Sequence, residues 1–428
     1  MTQFDKSFDI ENLRIQYEKD PVNKTMEKAL FRCHIDQMAV PRDYKIPEVF
    51  DIELQTHGIV DQKKSGTCWI HNYLNYLREV FIKASGYAGD FTLSSNYIAY
   101  YDKLEKMNFY MNKLIVDKNI KSKKESVKSI LIRGIDDGGT FSHLAFIIDK
   151  YGLVPSAVYP ESATASDTAI LNSVLSRLLR KFYDEIKTED SIEKINLIKS
   201  KYILETYTVL TRTYGMPPEI FDFSYKDVNG AVNDIVGLTP QHFYKIISVD
   251  VKSSYINVMS TRINNRKYGE NYIIKDAVFA EGEEPYKALN VDINRAKRMI
   301  LRQLKEGMPV CFSTSTLVVN YNGKWVDIYP RFSDIVGADL SFDRNQINDN
   351  FDSCASRHGL LITGARTEDG KPVAWKIENS WGPDEGFNGF ISMDDDFMTK
   401  YFNNATINKA FLTDKEKEMS ERKPLVRK

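Results

Sequence analysis

The order of the secondary-structure signals constrains the fold of this chain more than any other feature. Apolar residues recur at helical spacing from Trp69 to about residue 208, whereas short apolar runs typical of strands dominate from Pro309 onward. Two shorter strand patterns precede them, at Ile246–Val251 and Tyr272–Ile274, and a helix is predicted over residues 292–306. Because helices come first and strands last, rather than in alternation, the sequence predicts an α+β fold with a helical lobe and a β-rich lobe.

The chain has 428 residues, which exceeds the usual size of a single domain, so two lobes or one domain with large insertions are expected. The predicted division is an N-terminal extension at 1–45 that packs on the main body, a helical lobe at 46–155, a mainly helical insertion with some strands at 156–300, a β-rich lobe at 301–412 and a C-terminal tail at 413–428.

The composition excludes several kinds of protein. With 58 basic and 59 acidic residues the net charge is −1, so nothing indicates an electrostatic hold on nucleic acid or anionic lipid. Four cysteines do not make a disulfide framework here, and no Cys-x-x-Cys pair is present to hold zinc. The N-terminus lacks the apolar core of a signal peptide, and no apolar run reaches the ~20 residues that span a bilayer. The sequence therefore predicts a soluble cytoplasmic protein.

Cys68 lies where a glycine-containing loop, Gln62–Trp69, gives way to a helical pattern. A helix N-terminus favours negative charge and therefore favours a thiolate over a thiol. Gln62 carries an amide whose N–H groups can hydrogen-bond an oxyanion formed beside the sulfur. The alternative is a structural cysteine at the start of a helix, so the assignment of Cys68 as a nucleophile depends on partners elsewhere in the chain.

Those partners lie in the predicted β-rich lobe. A thiol nucleophile needs a base that takes its proton and later protonates the leaving amine, and His358 opens a strand that can face Cys68 across a cleft. Asn379 can accept a hydrogen bond from the imidazole and fix the orientation of the ring, and Trp381 can cover that bond. The sequence therefore predicts acyl transfer through a Cys-His-Asn triad.

These segments resemble the papain-type cysteine peptidases. The match comprises Ser65-Gly66-Thr67-Cys68-Trp69, the strand of His358 and Glu378-Asn379-Ser380-Trp381-Gly382, with Ser65 in place of the first cysteine of the family signature. Cys68 and His358 are about twice as far apart in sequence as the ~130–150 residues of that signature, which indicates a large insertion. Further segments resemble the bleomycin hydrolase and bacterial aminopeptidase C group, and they are Leu93–Tyr97, Tyr101–Lys106, Asp137–Phe141, Lys150–Pro155, Tyr159–Glu161 and Pro309-Val310.

The resemblance implies a papain-like, two-lobed cysteine peptidase that needs no metal or organic cofactor. It assigns roles to eight residues: the nucleophile Cys68, the base His358, its orienting partner Asn379, the oxyanion donor Gln62, the supporting Trp69 and Trp381, and the edge that binds substrate backbone, Gly138 and Gly139. The remaining histidines, including His71 and His143, are interpreted as packing or surface residues because none lies in a matching motif.

The resemblance further implies an aminopeptidase that acts on short peptides. Members of the group are typically cytoplasmic homohexamers whose C-terminal tail lies in the cleft. Residues 422–428 are basic and lack the apolar, tryptophan-containing arm expected there, so the sequence predicts a short or trimmed tail. Three alternatives therefore stay open: an endopeptidase, a small-molecule amide hydrolase on the same fold and, less favoured, a nucleic-acid-binding protein.

Overall fold

The computed structural model describes residues 7–38, 47–247, 249–274, 277–315, 319–321, 323–327, 329–341 and 357–427. Its α-helices are α1 (Ile10–Glu18), α2 (Pro21–Leu30), α3 (Ile35–Met38), α4 (Cys68–Ser85), α5 (Ser95–Asp117), α6 (Lys124–Arg133), α7 (Phe141–Tyr151), α8 (Ala169–Ile186), α9 (Ile192–Tyr214), α10 (Pro240–Ile246), α11 (Ile293–Lys305), α12 (Tyr329–Val336), α13 (Asp395–Tyr401) and α14 (Asp414–Glu421). Its strands are β1 (Ile52–Glu53), β2 (Phe221–Lys226), β3 (Val232–Leu238), β4 (Tyr255–Met259), β5 (Glu270–Ile274), β6 (Tyr286–Asn290), β7 (Val310–Ser315), β8 (Val319–Tyr321), β9 (Lys324–Val326), β10 (Arg357–Glu368), β11 (Lys371–Glu378), β12 (Phe390–Asp394), β13 (Phe402–Asn408) and β14 (Leu425–Arg427).

The helical lobe is organised around α4 and α5. Helix α4 packs on α5 and α7, and α5 packs on the inserted helices α8 and α9. Ser94 caps α5, because its side-chain oxygen accepts a hydrogen bond from the backbone N–H of Tyr97. Ile70, Leu77 and Phe81 repeat on one side of α4 and are fully buried in the core of this lobe. Cys68 therefore begins a helix that the core holds rigidly.

The second lobe is one mixed sheet with its own apolar core. Its described strands follow the order β14-β5-β6-β4-β13-β7-β10-β11-β12-β9-β8, with β1 added on β10, while β2 and β3 form a separate hairpin. Val310, Leu360 and Trp375 are buried in a second cluster that also contains α11 and α13 residues. The predicted α+β fold, with a helical lobe and a β-rich lobe, is confirmed. Helix α4 lies directly on β10 and β7, which brings the two lobes together.

Several local expectations need correction. The described residues of Ile246–Val251 do not form a strand, because α10 occupies Pro240–Ile246 and Ile247 lies in a turn. Within the N-terminal extension, α1 and α2 contain no buried residue, whereas α3 contacts α12 of the main body. The sheet also crosses the predicted boundary at residue 300, because β4, β5 and β6 pair into it.

The end of the chain contributes to the same sheet. Helix α14 is followed by β14, which pairs in parallel with β5, and Val426 lies opposite Ile273. Lys428, like Cys354, is outside the described residues. Among the helices of the described ranges, none combines the length and apolar character that crossing a bilayer requires.

Candidate active site

Cys68 is the first residue of α4, at the interface between the lobes. The hydroxyl of the preceding Thr67 lies 2.5 Å from Ser65 Oγ and does not cap the helix. The N–H groups of the first turn are therefore without a side-chain cap, as a site for negative charge requires. From the other lobe, the backbone N–H of Gly359 donates to Cys68 Sγ at 3.4 Å.

Glycine at position 359 permits this close approach. A Cβ atom there would lie 3.3 Å from Trp69 Cα and 3.4 Å from the carbonyl oxygen of Cys68. Both are backbone atoms of α4, so a side chain at 359 would push β10 away from the helix. The start of β10, which carries His358, is consequently held beside the sulfur.

The imidazole of His358 is oriented by Asn379 and covered by aromatic rings. Its Nε2 lies 2.8 Å from Asn379 Oδ1, and both residues are buried, at 3% and 1% exposure. Trp381 stacks on the imidazole with ring centroids 4.8 Å apart and an interplanar angle of 20°. Trp325 packs on both rings from the side. With Nε2 donating to the amide oxygen, Nδ1 is the ring atom left to accept a proton.

Burial acts against charge on both groups. It raises the pKa of the Cys68 thiol, although hydrogen bonds from the N–H groups of Gly359 and Trp69 oppose it. It lowers the pKa of His358 to about 4, against the hydrogen bond to Asn379. The preference of a helix N-terminus for a thiolate is thus outweighed by burial at Cys68, and each group taken separately favours its neutral form.

Both the nitrogen and the oxygen of the Gln62 side-chain amide form hydrogen bonds. Its Nε2 donates to the carbonyl oxygen of Ser65 at 2.7 Å, and its Oε1 accepts from Ser380 Oγ at 2.6 Å. Its backbone N–H also donates to the carbonyl oxygen of Ser380, at 2.8 Å. An amide nitrogen carries two hydrogens, so one remains for another acceptor. Ser380 therefore belongs to the site. It lies within the Glu378–Gly382 motif, but the motif did not reveal its contact with Gln62.

The two glycines of the predicted substrate edge differ in their surroundings. Gly138 uses both of its backbone groups internally, because its N–H donates to Asp136 Oδ1 at 3.1 Å and its carbonyl accepts from Lys106 Nζ at 2.6 Å. Gly139 lies against the indole of Trp69, where a Cβ atom would come within 2.4 Å of the ring. Among the described contacts, its own N–H and carbonyl have no hydrogen-bond partner. Gly139 is thus the position at which an extended peptide can pair.

Asp137 links this edge to the cysteine loop. Its carbonyl oxygen accepts from Trp69 Nε1 at 2.5 Å, and its Oδ2 accepts from the N–H of Gly66 at 2.8 Å. Lys103 also contacts the carboxylate, at 2.6 Å. Although burial opposes the charge, Lys103 and further side-chain hydrogen bonds hold the pKa of Asp137 well below its ordinary value. Sequence reasoning missed this role, and the only available signal was an acidic residue directly before two glycines.

A buried ion pair joins the helix of Cys68 to the strand that ends at Asn379. Arg78 of α4 and Glu378 of β11 have side chains at 0% exposure, with Arg78 Nη2 2.9 Å from Glu378 Oε1. Asn75 Nδ2 donates to the same oxygen at 2.8 Å. The relative position of Cys68 and Asn379 is therefore set by charge as well as by apolar packing. The sequence offered no marker for this pair.

Two other features lie apart from this site. His71 is buried at 4% exposure with Nε2 3.9 Å from Glu161 Oε1, which agrees with its interpretation as a packing residue. A cavity of about 420 Å³ lies between α7, β6 and α14, and its lining includes neither Cys68 nor His358.

Within the described ranges, no three His, Cys, Asp or Glu side chains converge as a metal site would require.

Comparison with known proteins gives consistent results. The model of the Peptidase C1-like family matches residues 6–428. The chain is 31% identical to Aminopeptidase C of Lactobacillus delbrueckii subsp. lactis, over 86% of this chain and 83% of that protein. It is 29% identical to Aminopeptidase C of Streptococcus thermophilus, over 100% and 97% of the two chains. The crystal structure of PepW from Lactobacillus rhamnosis HN001 superposes with a TM-score of 0.89 at 28% identity, covering 100% of this chain and 98% of that one.

Proposed function

This chain belongs to the Peptidase C1-like family and is a cysteine peptidase, and on that premise we propose that Cys68 is its nucleophile and short peptides are its substrates. One observation carries the proposal. The N–H of Gly359 reaches Cys68 Sγ at 3.4 Å, while the neighbouring His358 is held by Asn379 at 2.8 Å. These two contacts support a site between the lobes in which a thiol, a base and the partner that orients the base act together.

In the proposed reaction, the thiolate of Cys68 attacks the carbonyl carbon of the scissile peptide bond after the Sγ proton has passed to Nδ1 of His358. The resulting thiolate and imidazolium stabilise each other, which offsets the burial that disfavours either charge alone. The imidazolium then protonates the leaving amine, the C–N bond breaks, and a thioester remains on Cys68. Water deprotonated by His358 releases the acyl group as a carboxylic acid and restores the thiol.

The negative charge that develops on the carbonyl oxygen needs two donors. We assign them to the free amide hydrogen of Gln62 and the backbone N–H of Cys68, which as the first residue of α4 has no acceptor in a preceding turn. Ser380 supports this role, because its hydroxyl holds Gln62 Oε1 and so directs the amide nitrogen toward the cysteine loop.

Gly139 rather than Gly138 is proposed to bind extended peptide backbone. Its N–H and carbonyl can form the pair of hydrogen bonds by which a peptide adds to a strand-like edge. The carbonyl of Gly138 is already occupied by Lys106, so its contribution is to the shape of the edge.

Aminopeptidase action is supported by the similarity to proteins named Aminopeptidase C. The test compares a short peptide with a free N-terminus, the same peptide acetylated at that end, and a small amide. We expect the free peptide to be cleaved about 50-fold faster than the acetylated one, since exopeptidases recognise the terminal amine through interactions that acetylation removes. Cys68→Ala should abolish cleavage, whereas Cys33→Ala, at an exposed thiol, should leave it unchanged.

The two enzymatic alternatives give different results. Equal cleavage of the acetylated peptide would identify an endopeptidase, and cleavage of the small amide alone would identify an amide hydrolase. Activity that survives Cys68→Ala would overturn the mechanism.

The proposed setting is a cytoplasmic homohexamer. Its support is the resemblance of the motifs to the bleomycin hydrolase and aminopeptidase C group, whose members typically have this state. Active sites that face a central channel would exclude folded proteins, which agrees with short peptides as substrates.

A further inference from the structure

Helix α5 contributes buried charges that the proposed mechanism does not use. Asp102, Lys103 and Lys106 are exposed by 1% or less. Lys106 Nζ lies 2.8 Å from Asp102 Oδ1 and donates to the carbonyl oxygen of Gly138 at 2.6 Å. Lys103 Nζ lies 2.6 Å from Asp137 Oδ1. These charges therefore lie directly behind the edge formed by Gly138 and Gly139.

His143 connects this cluster to the other lobe. It is fully buried in the first turn of α7, with Nε2 3.0 Å from Asp102 Oδ1 and Nδ1 3.0 Å from Glu283 Oε2. Glu283 belongs to the segment between β5 and β6, and its Oε2 also accepts the N–H groups of Phe279 and Ala280. A neutral imidazole has one N–H and can donate to only one carboxylate, whereas an imidazolium donates to both.

The balance of charge in the cluster also indicates that His143 is protonated. The cluster contains three carboxylates and three basic groups, namely Asp102, Asp137, Glu283, Lys103, Lys106 and His143. It is neutral only when His143 carries a proton, and an unbalanced buried charge is strongly unfavourable. Burial lowers the pKa of His143, but the hydrogen bonds and charges of Asp102 and Glu283 outweigh it, and the net shift is upward.

The imidazole is also close to the peptide-binding edge. Its ring centroid lies 5.8 Å from that of Trp69, the indole against which Gly139 packs. Thr140, which follows Gly139, accepts the backbone N–H of His143 as the cap of α7. A displacement of His143 would therefore move both the start of α7 and the indole.

We propose that His143, as an imidazolium bridging Asp102 and Glu283, is a positioning residue for peptide binding that holds Gly139 and Trp69 in place across the two lobes. This inference rests on the proposed function, because it concerns the affinity of the same site for peptides. The charged groups that the structure describes around the imidazole are Asp102 and Lys106 from α5 and Glu283 from the β5–β6 segment. Loss of the proton leaves one carboxylate without its hydrogen bond from the imidazole and the cluster with a net charge of −1.

The test compares kcat and KM of the full chain for a short peptide, together with the rate at which iodoacetamide alkylates Cys68 without peptide. We expect His143→Gln to raise KM about fivefold while kcat and the alkylation rate stay within about twofold, because only binding is affected. The double variant His143→Gln with Glu283→Gln removes one charge of each sign and should return KM to within about twofold of wild type. His242→Gln, at an exposed histidine of α10, serves as the matched control.

An unchanged KM in His143→Gln, or a double variant as impaired as the single one, would overturn the proposal. If His143→Gln does not fold, a folded double variant with wild-type KM supports the charge balance, and a double variant that also fails to fold contradicts it. If the wild type cleaves no peptide, the proposed function fails by itself. The inference is then decided by selective ¹⁵N labelling of histidine, where a doubly protonated ring absent from His143→Gln supports it and a singly protonated ring overturns it.

Discussion

His358 has a depressed pKa because the lobes and the indole of Trp381 exclude water from its ring. Attack requires the neutral imidazole, so kcat/KM should persist as the pH falls below the ordinary histidine value of 6.5 and decline only as it approaches the pKa of about 4. Trp381→Ala admits water and stabilises the charged form, which raises the pKa. The acidic limb of the kcat/KM profile should therefore move toward pH 6.5 in this variant.

The control for this profile is Trp375→Phe. Trp375 is fully buried, whereas Trp381 is partly buried, and Trp375 lies in β11 and donates to Asp395, without a ring contact to His358 among the described pairs. The acidic limb of the kcat/KM profile of Trp375→Phe should coincide with that of the wild type. A wild-type limb already near pH 6.5, or no shift in Trp381→Ala, would show that burial does not set this pKa.

At the residue scale, motifs single out candidate residues but do not predict the environments of those residues. Cys68, His358 and Asn379 could be singled out because each chemical role requires a particular residue type in a recognisable local context. The direction of the pKa shift at Cys68 could not be predicted, since it depends on burial by the other lobe. Ser380 and Asp137 were missed for the same reason, because their partners Gln62 and Trp69 are distant in sequence.

At the scale of elements, we predict that substitutions at the two glycines of the substrate edge differ in their effects on stability and on KM. A Cβ atom at Gly139 would overlap the indole of Trp69, so Gly139→Ala should lower the free energy of unfolding by ~1–3 kcal/mol, as overpacking does. It should also raise KM, because the displaced indole disturbs the edge. At Gly138 the nearest atom, Asp136 Oδ1, is 3.5 Å away, so Gly138→Ala should be nearly neutral.

Denaturant unfolding and steady-state kinetics on the two alanine variants measure both quantities. Equal effects of the two substitutions would show that Trp69 does not pack on Gly139 as described.

The ion pair between α4 and β11 makes a second prediction at this scale. Glu378→Gln leaves Arg78 charged, buried and without its full partner, so the free energy of unfolding should fall by about 3 kcal/mol, the lower end of what breaking a buried pair costs. Urea unfolding of the wild type and the variant measures this change in free energy. Lys201→Met breaks an exposed ion pair with Glu185 and should cost less than ~1 kcal/mol. Similar losses in both variants would contradict the account of α4 and β11.

Elements with strong local signals were predicted well, and those decided by capping or distant pairing were not. Helix α11 follows from its apolar periodicity and ends close to Gly307, as expected. The Ile246–Val251 run looked like a strand because it is β-branched. Thr239 caps α10 and Pro240 occupies its first turn, so a helix takes the beginning of that run instead.

At the scale of the whole molecule, the α+β class follows from sequence because helical and strand patterns are segregated along the chain. The extent of the sheet does not follow from the sequence. Strands β4, β5 and β6 join it beside β13, more than 100 residues away in sequence, and β14 closes the same edge. Such pairing depends on long-range contacts that leave no periodic signal, so the predicted insertion could not be separated from the β-rich lobe.

The proposed assembly is tested by the mass of the native particle. A homohexamer should have six times the 49.3 kDa mass of the chain by light scattering coupled to size exclusion, independent of concentration in the working range. A monomeric particle would leave the sites open to solvent and would remove the proposed exclusion of folded proteins. Cleavage of a folded protein substrate, measured alongside, should then follow.

The central claim is that Cys68 is the nucleophile, and mass spectrometry after reaction with a thiol-directed epoxide tests it most directly. Cys33 is exposed and Cys311 is buried with a raised pKa, so both serve as internal references. The account predicts one epoxide per chain on Cys68, formed in proportion to the loss of peptidase activity and about tenfold or more faster than on Cys33, because His358 is the proposed base for Cys68. Labelling of Cys33 in step with the loss of activity, or full activity in protein labelled at Cys68, would contradict it.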